Sequence, residues 1–78
     1  MNKREAYIIS DKIIRALAEK RKKRGISQYK ISKETGISQS SLSYIEKLVQ
    51  KPSLPTVLMI ADFIGEDLAD VLKSIKSK

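Results

Sequence analysis

Apolar residues recur at three- and four-residue intervals along nearly the whole chain, and no stretch alternates with period two over a useful length. The first spacing marks one face of a helix and the second a half-buried strand, so the pattern predicts helices throughout. Ile9, Ile13, Ile14 and Leu17 share one side of a first helix running to about Arg24, which Gly25 stops. Asn2 followed by Glu5 resembles a capping box at its start, while Ser10 or Asp11 could cap a shorter helix. Ser27 caps a second helix that carries Ile31 with the small Ser32 beside it, and Gly36 ends it at a positive φ that glycine adopts cheaply. Ser38 caps a third, with Leu42, Ile45 and Leu48 or Val49 as its stripe. Beyond Lys51-Pro52, Ser53 caps a fourth with Pro55 in its first turn, where proline is tolerated. Its apolar face is Leu54, Val57, Leu58, Ala61 and Ile64, and Gly65 stops it. Asp67 caps a fifth helix with Leu68, Val71, Leu72 and Ile75 inward. Short connections between five helices imply a compact all-α bundle. The whole chain, 1–78, reads as one domain with its core over residues 10–75.

Residues Ser27 to Lys47 are the most informative stretch. Between the apolar positions of the third helix lie Gln39, Ser40, Ser43, Tyr44 and Lys47. An ordinary solvated face carries more Glu and Lys pairs; neutral hydrogen-bonding groups are what base edges require.

Charge strengthens that reading. Residues 1–33 hold 11 Lys or Arg against 3 Asp or Glu, and residues 34–78 hold 5 against 6. A strongly basic half points to a polyanionic partner. The run Lys20 to Arg24 also has a local explanation, because cations suit a helix C-terminus. With no cysteine or histidine, disulfides, thiolate chemistry and the usual zinc sites are excluded, which suits a reducing cytoplasm. The first ten residues lack the apolar core of a signal peptide, and no run approaches the roughly 20 apolar residues that span a bilayer. Catalysis has no nucleophile–base pair or glycine-rich phosphate loop to work with; Glu66, Asp67 and Asp70 cluster at a predicted helix start, where capping and the dipole account for them. RNA ranks below DNA because aromatics for base stacking are few.

In these features the chain resembles the DNA-binding domains of the lambda repressor and Cro type, also called XRE-like regulators. The likeness runs from about Leu17 to Leu72 and rests on an ordered set: Arg21, Gly25-Ile26-Ser27-Gln28, Ile31-Ser32, Gly36-Ile37-Ser38, Leu42, Ile45-Glu46, Pro52-Ser53-Leu54, Ile60-Ala61 and Ile64-Gly65. It implies a helix-turn-helix formed by helices 2 and 3, with the third helix entering the major groove. By the same resemblance, Gln39, Ser40, Ser43 and Tyr44 contact bases, while Ser27, Gln28, Ser41, Lys47 and Lys51 contact phosphates. Arg21 and Glu46 form an ion pair tying the first helix to the end of the third. The implied function is a sequence-specific regulator of transcription, read here as a repressor, binding double-stranded DNA at a palindromic operator in the cytoplasm as a homodimer, with no cofactor or metal. The alternative is an antitoxin that binds both its operator and a toxin protein.

Two departures from the family pattern set further expectations. Leu48 stands where the family usually has glycine; a left-handed leucine costs about 1–2 kcal/mol, so a third helix that runs on, with Leu48 and Val49 packing inward, is the cheaper arrangement. Met59 and Phe63 lie off the main stripe of the fourth helix. Either Phe63 completes the core beneath the first helix, or Met59 and Phe63 belong to a two-fold interface, and the second is the favoured expectation.

Overall fold

A computed structural model describes residues 1–77 as five helices, with no strand among them: α1 (Lys3–Lys23), α2 (Gln28–Thr35), α3 (Gln39–Glu46), α4 (Leu54–Phe63) and α5 (Leu68–Lys76). Each helix starts where a short polar side chain meets an orphan first-turn amide. Ser27 Oγ accepts from the Lys30 amide at 3.0 Å, and Ser38 Oγ from the Ser41 amide at 3.0 Å. Ser53 Oγ accepts from Thr56 and Asp67 Oδ1 from Ala69. Asn2 Oδ1 accepts from the Glu5 amide at 2.8 Å, so α1 takes the longer of its two expected forms.

Leu17, Ile31, Leu42, Ile60, Ala61, Ile64 and Val71 form the buried core, and Ile14 and Ile45 are buried beside them. α1 packs against α3, α4 and α5, and α2 against α3 and α4. α5 touches only α1 and α4, which leaves the α2–α3 pair with an open outer side. Among the described residues, no helix is long and apolar enough to cross a membrane.

Three expectations are corrected here. On α4, Leu54 and Leu58 are exposed, at 64% and 48%, while Ile60 enters the core. The inward stripe is Val57, Ile60, Ala61 and Ile64, because α4 is apolar on several sides and the true face is chosen by its neighbours. Phe63 packs against the core, which realises the first of its two readings, whereas Met59 is 41% exposed. Glu66 does not simply belong to a helix start. Its carboxylate receives Arg24 and lies 3.4 Å from Lys20 Nζ, and Arg24 also donates to the Ile64 carbonyl. The basic end of α1 is thereby fastened to the turn before α5, and most of the Lys20–Arg24 run is engaged within the molecule.

Candidate nucleic-acid interface

The turn between α2 and α3 is built locally. Gly36 sits at φ 81°, donating its amide to the Ser32 carbonyl at 2.9 Å. Thr35 Oγ1 donates to the Ile31 carbonyl and accepts from the Ile37 amide, closing the corner from the side-chain side. Leu42 and Ile45 are 1% and 2% exposed and fix which face of α3 turns inward. The opposite face is left open. Gln39, Ser40, Ser43, Tyr44 and Lys47, with Gln28 from the start of α2, line one shallow open depression.

That surface is mounted from behind by one cation. Arg21, the buried charged residue of the core, donates from Nε to Glu46 Oε2 at 2.6 Å and from Nη2 to Oε1 at 2.8 Å. Its third donor, Nη1, reaches the Ile26 carbonyl at 2.7 Å. The paired fork geometry fixes orientation as well as distance. Gln28 Nε2 adds a fourth bond, to Glu46 Oε1 at 3.0 Å, which ties the first residue of α2 to the last of α3. Burial is the largest single influence on the Glu46 carboxyl and pushes it up. The hydrogen bonds from Arg21 and Gln28, with the charges of Arg21 and Lys22, together outweigh it and hold the group below its ordinary value. The hydrogen bond to Glu46 raises Arg21 against its own burial. For Glu66 the Arg24 hydrogen bond leads, and the group again falls below the ordinary carboxylate range. No buried side-chain donor or acceptor is left without a partner among the described residues.

The end of α3 overturns the expectation of a helix that runs on. Leu48 takes φ 64°, the one positive φ outside glycine among the described residues, and α3 stops at Glu46. Three amides fold back onto the last turn: Leu48 onto the Ile45 carbonyl at 2.9 Å, and Val49 and Gln50 onto that of Tyr44 at 3.0 and 3.2 Å. These bonds satisfy carbonyls that a plain helix end would leave open, which offsets the cost of a left-handed leucine. Val49 consequently points outward, 73% exposed.

Six of the expected contact residues therefore share one surface: Gln28, Gln39, Ser40, Ser43, Tyr44 and Lys47. The other three stand apart from it. Ser27 uses its hydroxyl as a cap, and Ser41 is half-buried. Lys51 turns onto α1 in the free protein, with Nζ 2.7 Å from Asp11 Oδ1 and 5.6 Å from the centre of the Tyr7 ring. Gln28's bond to Glu46 and the Asp11–Tyr7 seat for Lys51 have no counterpart in the local sequence pattern, because their partners lie 18 and 40 residues away.

A family model described as helix-turn-helix matches residues 17–71. Comparison with curated proteins and with solved structures returns no match.

Proposed function

The chain belongs to the lambda repressor-like helix-turn-helix family, and on that premise we propose that it is a sequence-specific regulator that reads double-stranded DNA with the exposed face of α3 and acts as a repressor. The observation that carries this is the single open surface of α3, rich in neutral donors and acceptors and backed by the buried Arg21–Glu46 pair. Glutamine at position 39 can pair bidentately with adenine, and the serines at 40 and 43 accept several bases. Tyr44 reaches the groove wall from the next turn. Gln28 and Lys47 flank the row on the side where phosphates run, with Ser27, Ser41 and Lys51 at its margins.

Homodimerisation is part of this proposal. Exposed apolar side chains on α4, Leu54 and Leu58 on one edge and Met59 further round, support it, and Phe63 is replaced in that role because it packs inward. The same side chains would serve a toxin protein if the chain is an antitoxin. Selection of bound duplexes from random DNA tests the reading. The expected product is a palindrome with half-sites about one helical turn, roughly 34 Å, apart. A pool that shows no enrichment over its starting composition sinks the sequence-specific reading; a single half-site without symmetry sinks the dimer.

A further inference from the structure

The positive charge that α1 does not use inside the molecule is confined to few residues. Arg21 is committed to Glu46, Lys20 and Arg24 to Glu66, and Lys23 lies 3.8 Å from Glu19. Lys3, Arg4, Lys12, Arg15 and Lys22 have no ion-pair partner among the described residues, and all five are exposed, Lys3 lying 5.9 Å from the centre of the Tyr7 ring. At roughly 100° per residue, Arg4, Arg15 and Lys22 fall within about 20° of one another around the helix, with Lys12 further round. Their edge borders the buried face that carries Ile14 and Arg21.

Two contacts show which way this edge looks. Asp11, on the same edge, is bound by Lys51 from the turn that follows α3. Lys22 directly follows Arg21, whose guanidinium is bound to Glu46, the last residue of α3. The edge therefore approaches the end of α3 at Lys22 and the turn that follows α3 at Asp11. Arg4 to Lys22 spans about 27 Å of helix, comparable to roughly eight base pairs of duplex. Of the acids nearby, Asp11 is matched by Lys51 and Glu19 by Lys23, while Glu5 has no ion-pair partner among the described residues.

Resting on the DNA-binding reading above, we propose that Arg4, Arg15 and Lys22 form a basic rail that grips the phosphate backbone of double-stranded DNA beside the groove entered by α3. Two of the three are arginines, whose planar fork suits phosphate. Arg4 and Arg15 lie before residue 17, outside the stretch the family model matches, so the rail extends the footprint beyond the helix-turn-helix. It adds affinity without sequence preference, as backbone contacts do.

The test follows binding of the full chain to a selected duplex, and to a random one, against salt concentration. In the triple variant Arg4→Ala/Arg15→Ala/Lys22→Ala, the slope of log affinity against log salt is expected to become shallower by about 2.7, near 0.9 for each lost contact, equally on both duplexes. Arg15→Ala alone should give about 0.9, with the circular dichroism melt of wild type. A triple variant whose slope changes by less than about 0.9, or a loss confined to the selected duplex, overturns the rail and leaves the reading of α3 standing. A wild-type chain that binds no duplex overturns that reading and the rail with it.

Discussion

At its N-terminal end α3 is held by one hydroxyl, Ser38 Oγ on the Ser41 amide, and Gln39 and Ser40 stand exposed beside it. At its C-terminal end Glu46 accepts three hydrogen bonds from Arg21 and Gln28, and three amides fold back onto the last turn. One end is kept clear of protein partners while the other is bound by charge, amide and backbone together. A helix only 8 residues long can be aimed from its far end, so the side chains at the near end need not take part in holding it.

The largest expected break in that comparison is Arg21→Ala. It leaves the mostly buried Glu46 carboxylate without its cation and should lower stability by about 3 kcal/mol in urea titrations. If it costs no more than a cap deletion, the far end is not the anchor. The same network should shape the acid limb. Glu46 titrates below its ordinary range in the folded state, so its contribution is complete at neutral pH. It fades as pH falls through about 4 towards the folded value. Arg21→Ala should therefore flatten stability against pH between about 5 and 3 relative to wild type, and an unchanged acid limb would locate the titration elsewhere.

At the near end the effect belongs to binding. Gln39→Ala should weaken a selected duplex by about 1–3 kcal/mol, leave random duplexes nearly unchanged and alter stability by less than about 0.5 kcal/mol. Equal loss on both duplexes would mean that Gln39 does not read sequence. Ser38→Ala should cost about 1 kcal/mol of stability through the stranded amide, detectable as a lowered melting temperature. Leu48→Gly is expected to be the mildest, within about 1 kcal/mol of wild type. Relief at φ 64° is set against a more flexible unfolded chain and lost leucine contacts. A gain well beyond that would show the turn to be more strained than its hydrogen bonds imply.

The parts of the fold legible in the sequence are those decided within one turn of helix. Ser27, Ser38, Ser53 and Asp67 each cap the helix expected of them, because a cap needs only a side-chain oxygen and an amide two or three residues on. The stops at Gly25, Gly36 and Gly65 are local in the same sense. Orientation was harder where a helix is apolar on several sides. Leu54 and Leu58 fit the periodicity of α4 as well as Ile60 does, and only the positions of α1, α2 and α5 decide between them. At Leu48 the cost of a left-handed backbone is a local property, but the compensating bonds to Ile45 and Tyr44 that reverse the expected outcome are not visible in residue identity. Of the candidate surface, the polar row of α3 was legible from spacing, and the Arg21–Glu46 link came through family likeness. The seats of Lys51 on Asp11 and of Arg24 on Glu66 join residues 40 and 42 apart, beyond the reach of any local rule.

The 21 residues of α1 measure about 31 Å, and the molecule extends 35 × 22 × 18 Å, so this helix must lie close to the long axis. Backbone N–H bonds run nearly parallel to a helix axis. The amides of α1 therefore sense end-over-end rotation, the slowest component of tumbling in solution. Their ratio of transverse to longitudinal ¹⁵N relaxation should be the highest in the molecule, with other helices lower according to their tilt. A second copy or a length of DNA would redefine that axis, so the ranking of helices by this ratio reports on assembly without any attached probe or substitution.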